Sequence, residues 1–243
     1  MAIPTTLPAA SEVAAVPQAT VREALDPAGR LALRANFVGD LPHGPLTVFA
    51  AGGTPAMEAA YQLGRPHGPM RMFDERGQLL QETQHQAGLV HGLTRTYYPS
   101  GKLMQEQRHV QGVLHGETVA YAESGDATAR LPYVAGRLDG DATYYHEARL
   151  VRRERYRAGL LDGETLDYGA QGAVAQSSSY RANVLHGPLK RFWPNGQLME
   201  ETTYRNGKPS GSPRRFDASG REVIAADSQP GFMKSLERLV KGS

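Results

Sequence analysis

The chain has 243 residues, 40% of them hydrophobic, and a formal charge of +2. That charge balance gives no pointer to nucleic acid, and the absence of cysteine excludes disulfides and thiolate metal sites. No apolar run reaches the length of a signal peptide or a transmembrane helix, so the expectation is a soluble cytoplasmic protein.

In chain order, residues 1–28 come first, rich in Ala, Pro, Thr and Val without period. They are expected to be disordered, or weakly helical near "TVREALD". From residue 29 to 225 the sequence repeats. Gly44, Gly68, Gly92, Gly116, Gly140, Gly163, Gly187 and Gly211 each follow His, Asp or Ser, 24 residues apart with one step of 23. Five residues after each comes an aromatic: Phe49, Phe73, Tyr97, Tyr121, Tyr145, Tyr168, Phe192 and Phe216. Two further glycine columns run in phase, and together the three hold 21 of the 27 glycines. Glycine is therefore a periodic device here, which is the signature of a repeat architecture.

Within one period, "HGLTRTYYPSGKLMQEQRHVQG" (91–112) reads as two strands around the turn "YPSG". Glycine, with Asn183 once in its place, suits the positive φ of hairpin turns. Each repeat is thus predicted to be an antiparallel β-hairpin, and the array an all-β elongated meander of about eight units. At ~4.8 Å per strand the units span about 75–80 Å. Alternation places the aromatic column inward, with Leu79, Leu103, Leu150, Val174 and Leu198, as one apolar and aromatic seam. At "YYHEARL" (144–150) one residue and the turn glycine are missing, so a local irregularity is expected there. Residues 226–243 close the chain: Phe232, Leu236, Leu239 and Val240 stand at helical spacing, as a capping helix over the last hairpin or as a partner-binding one.

Units such as "GVLHGETVAYAESG", "GLLDGETLDYGAQG" and "NVLHGPLKRFWPNGQLMEETTYRNGK" resemble the MORN repeats, in the variant found in bacterial antitoxin and immunity proteins. The resemblance covers residues 36–223. It implies a β-hairpin array that acts by binding, because relatives of this variant are often encoded beside secreted toxins and neutralise them. Other MORN proteins are scaffolds or contact membranes, which is the alternative reading.

Little in the chain suggests catalysis. His43, His67, His91, His115 and His186 share one column but recur about 10 Å apart, too far to ligate one ion, and are read as turn residues that bond their own backbone. No nucleophile elbow, phosphate-cradling loop or HExxH is present, so no enzyme activity, cofactor or metal is expected. The candidate contacts are outward aromatics and arginines. Tyr98 and Trp193 follow column aromatics and Tyr144 precedes one, so alternation puts them on the opposite face, as a binding strip or under the sheet's own curl. Arg153 and Arg155 lie in "RLVRRERYR" (149–157), either a solvated strand with cross-strand carboxylates or a surface for an acidic partner. The expected partner is a protein, a cognate toxin, with membrane contact second and nucleic acid not expected.

Overall fold

Two kinds of turn, alternating along the chain, dictate the architecture. The structure, a computed structural model, describes residues 19–223; the expected C-terminal helix and residues 1–18 lie outside that range. The first kind of turn has two residues, as between Gln62 and Arg65, where Leu63 (φ 46°) and Gly64 (φ 80°) are both left-handed. Positive φ at both central positions is the type I′ geometry whose twist matches that of flanking strands. The second kind is longer: Tyr98 N donates to Lys102 O and Gly101 N to Tyr98 O.

Strands β1 to β8 are Thr20–Leu25, Leu31–Val38, Leu41–Phe49, Pro55–Gln62, Arg65–Phe73, Leu79–Gln86, Leu89–Tyr97 and Leu103–Val110. Strands β9 to β15 are Val113–Leu114, Gly116–Tyr121, Ala127–Val134, Arg137–Leu138, Gly140–His146, Arg149–Arg157 and Leu160–Leu161. Strands β16 to β21 are Gly163–Tyr168, Val174–Arg181, Val184–Phe192, Leu198–Arg205, Lys208–Pro209 and Arg214–Arg215. Successive full-length strands pair antiparallel, giving one continuous meander. The short pieces β9, β12, β15 and β20 are the first residues of a repeat strand interrupted at or just before the glycine that follows His, Asp or Ser. Gly116 has φ +106° and Gly163 φ +135°, so the column marks a bulge where an L side chain fits poorly.

The array begins one unit earlier than the glycines show. Thr20 pairs with Phe37 as Gly44 pairs with Tyr61, so β1 is a repeat strand with Thr20 at the glycine position and Leu25 at the aromatic one. The expectation of disorder or weak helix is corrected here: "TVREAL" is strand, and Asp26 makes the turn by accepting from the amides of Ala28 and Arg30.

The core also differs from the expected aromatic seam. The aromatic column does pair with the leucine column, as in Tyr97 with Leu103, but all its members remain half-exposed. The buried row is made of small residues: Ala35 (0% exposed), Ala59, Thr94, Thr118, Ala142 (0%), Thr165, Ser178 and Thr202. The reason is geometric. A single-layer sheet has no second layer to cover a ring, so residues short enough to sit below their neighbours make up most of what disappears from solvent, joined by Val119 (6%) and Met199 (8%). Thr118 Oγ1 and Thr165 Oγ1 in that row find no hydrogen-bond partner among the described residues.

The His/Asp column stitches repeats together instead of bonding its own turn, a second correction. His43, His67, His91 and His186 each accept at Nδ1, at 3.4 Å, from the amide of Leu63, Ala87, Gln111 and Asn206 in the following turn. Asp139 and Asp162 take the same role toward Ala158 (3.0 Å) and Ala182 (3.3 Å). The next amide completes the stitch, as where Gly64 N donates to Pro42 O at 2.8 Å. A left-handed conformation costs a non-glycine residue about 1–2 kcal/mol, and the donated hydrogen bonds offset part of it.

Candidate functional site

The irregularity expected at 144–150 is present and has a consequence. Its long turn is replaced by a two-residue one, Glu147 (φ 48°) and Ala148 (φ 60°), between paired His146 and Arg149. Two other pairs of neighbouring long turns are braced by side chains. Tyr98 Oη donates to Tyr121 O at 2.7 Å, Trp193 Nε1 to Phe216 O at 3.1 Å, and Asn195 Nδ2 to Ala218 O at 2.8 Å. Beside the shortened turn, only the longer reach of Arg149 bridges to Ala170 O (3.3 Å). The gap opens a notch of about 420 Å³ against Leu150, Val151 and Tyr168. On the other side of the Gly169–Gly172 turn lies a cleft of about 600 Å³. Its apolar walls are Tyr168, Val174, Phe192, Trp193 and Met199, and Asp167, Gln176 and Arg191 form its polar side.

Those polar residues belong to one cross-strand row: Tyr144, Arg152, Asp167, Gln176, Arg191, Glu200 and Arg215, each paired with the next. The row is charge-complementary along its length. Arg152 meets Asp167 at 2.6 Å, Arg191 meets Gln176 at 3.3 Å and Glu200 at 3.5 Å, and Arg215 meets Glu200 at 3.0 Å. Further toward the N-terminus the same row carries Gln105, Thr96 and Gln81 and then turns apolar, with Met72, Met57 and Val48. Glu154 enters the small-residue row beside it, opposite Ala142, and accepts from Tyr156 Oη at 2.9 Å. Burial first, and then the Glu154 carboxylate, push both the Tyr144 and Tyr156 hydroxyls above the usual tyrosine range. They stay protonated and serve as donors.

The five candidate contacts do not form one patch. Trp193 lines the cleft, and Tyr144 shares the cleft's polar row, two strands from Asp167. Tyr98 braces a separate turn. Neither Tyr98 nor Trp193 is in a strand; a register shift just before the turn breaks the alternation used to place them. Arg153 and Arg155 point to the face opposite Arg152. There Arg155 pairs with Asp141 at 3.0 Å. Arg153, flanked by Thr143 and Leu166, has no ion pair among the described residues. The solvated-strand reading therefore holds for Arg149, Arg152, Arg155 and Arg157, all with carboxylates within 4.0 Å, and not for Arg153. Sequence reading missed Asp167, Gln176 and Arg191; the one-residue deletion was the available signal, since it opens the notch beside them.

Among the described residues no three His, Cys, Asp or Glu side chains gather around a common point, and the charged groups of the row neutralise one another. What the arrangement offers is a braced, half-apolar cleft and a preset pattern of charge. Three hairpins match the MORN repeat variant. The matched residues are 66–87, 90–111 and 185–206, about a quarter of the chain. Each matched segment covers both strands of one hairpin (β5 with β6, β7 with β8, β18 with β19) and both ends of a stitch, His67 with Ala87, His91 with Gln111 and His186 with Asn206. A MORN repeat array goes with a protein-binding or scaffold role. No curated protein matches the chain. One solved structure, titled "Crystal Structure of TcdB2-TccC3-Cdc42", is similar at 12% identity and a TM-score of 0.18, over 81% of this chain and 13% of that one. A TM-score that low lends nothing to the fold or the function.

Proposed function

We propose that the protein is a non-enzymatic cytoplasmic binding protein that neutralises a cognate secreted bacterial toxin by holding it against this sheet. The observation that carries the binding role is the MORN-type array itself, matched in three segments and braced unit to unit so that its surface is preorganised. The finer assignment to toxin neutralisation rests on the resemblance of the repeat units to the antitoxin and immunity variant. The cleft walled by Trp193 and Phe192 takes an apolar side chain of the partner, and the row from Tyr144 to Arg191 reads the charges around it. Inhibition is steric, by covering the mouth of the toxin's active site or fixing a mobile element of it.

Capture of the co-purifying partner tests this, with Trp193→Ala, Tyr144→Ala and Arg153→Ala compared against the unaltered chain. An anchor in the contact loses about 2 kcal/mol or more of binding, with urea unfolding of the free protein reported beside it. A chain that captures no protein but floats with anionic liposomes would replace this reading with the membrane-associated one.

A further inference from the structure

Of the twelve most exposed large apolar side chains among the described residues, eight stand on or beside the two-residue turns. Leu41, Leu63, Leu89, Val113, Leu160 and Val184 are each 43–55% exposed. Scatter over two faces and two edges would not collect them on one edge. Part of the reason is local packing. Leu41 Cδ2 and Val113 Cγ1 lie over the turn glycines of the next repeat, 3.3 and 3.2 Å from where a Cβ on Gly64 or Gly136 would stand. That contact lines the side chains up along the edge but leaves them half in water.

At equivalent positions in other repeats stand Arg65, Arg137, Arg181 and Arg205, and also Arg157, which pairs with Asp162 at 3.6 Å. The carboxylates on this edge are few. Asp40 sits at the first turn, paired with Arg22, and Asp139 and Asp162 are held by the stitches to Ala158 and Ala182. The edge is therefore an apolar ridge whose uncommitted charge is positive.

We propose that this turn edge is a docking ridge for an apolar, acid-rimmed groove or segment of a partner protein. Charge complementarity selects that occupant: leucine-like and valine-like side chains enter the apolar surface while carboxylates meet the arginines. A second copy of the chain is the wrong partner, because two such ridges bring arginine toward arginine. The proposal rests on the reading of the chain as a protein-binding array and adds a second surface, distinct from the cleft.

The test is fluorescence anisotropy with a labelled amphipathic peptide of Leu and Glu, against the same peptide with Lys for Glu. The full-length protein is expected to bind the Glu peptide at least about tenfold more tightly, with the preference fading at high salt. Leu89→Ser with Val113→Ser, and separately Arg137→Glu with Arg181→Glu, should each weaken binding about tenfold while urea unfolding stays unchanged; Val21→Ser, exposed on β1, should not. Equal affinity for the two peptides, ridge variants that bind like the unaltered chain, or binding to anionic vesicles with none to the Glu peptide would each overturn the ridge. Ridge variants that lose the peptide yet still capture the co-purifying partner separate this proposal from the cleft reading.

Discussion

Substituting Gly163 by Ala tests the bulge column at the point where the structure is tightest. Gly163 has φ +135°, and a Cβ there would stand 2.7 and 2.8 Å from Cγ and Cβ of Arg155. The backbone contribution is about 1–2 kcal/mol for an L residue held left of its allowed region. The contact adds about 1–3 kcal/mol, the range for inserting a methyl into filled space. Gly211→Ala is the comparator, since Gly211 stands in the same column with φ +107° and nothing within 4 Å, so it carries the backbone contribution without the contact. The second comparator is Arg155 itself. Arg155→Ala removes the Cγ but keeps the Cβ at 2.8 Å, whereas Arg155→Gly removes both; each loses the surface ion pair with Asp141, worth at most about 1 kcal/mol. Urea unfolding followed by the fluorescence of Trp193, the single tryptophan, reports on the neighbouring hairpins. The expected order is Gly163→Ala less stable than Gly211→Ala by about 1–3 kcal/mol, with a favourable coupling of about 1 kcal/mol to Arg155→Gly and a smaller one to Arg155→Ala. Equal losses for the two glycines, or equal rescue by the two Arg155 variants, would refute the steric reasoning.

Further outcomes follow from the stitches and the small-residue row. His91→Asp should preserve most of the stability that His91→Ala loses, about 0.5–1.5 kcal/mol, because Asp139 and Asp162 already fill that position; thermal melts of the two variants decide it. Ala87→Asn and Gln111→Asn should each stabilise by up to about 1 kcal/mol in urea unfolding, since Asn tolerates the left-handed region these residues occupy. Thr118→Val should be neutral or stabilising in the same assay, because the buried hydroxyl has no partner to lose. Burial holds the His109 imidazole below its ordinary value of 6.5. The unfolded chain therefore takes up that proton first, so its share of stability is complete above pH 6.5 and is lost as the pH falls below it; His109→Gln should flatten that part of the stability–pH curve.

The parts of the fold legible in the sequence were those that sterics write as glycine. The period, the hairpins and the interrupted turn at 144–150 all follow from where positive φ is needed. The first repeat was not legible, because Thr20 and Leu25 replace the marker glycine and aromatic while the pairing of β1 persists. The buried row was hidden for a different reason. Ala, Thr and Ser carry no hydropathy signal, and their burial comes from neighbours in a single-layer sheet. The alternation used to place Tyr98 and Trp193 does not extend to them, because both stand outside strands beyond a register shift that no period-two pattern records. The cleft had only an indirect trace, the missing residue that removes one brace from the wall of turns.

Titrating the activity of the co-purified partner with this chain addresses the proposed function most directly. The expected result is a linear fall to complete inhibition at a fixed stoichiometry, with Trp193→Ala shifting the endpoint to higher concentration while the variant stays folded. A partner that remains fully active when saturated with the chain would contradict neutralisation by direct binding.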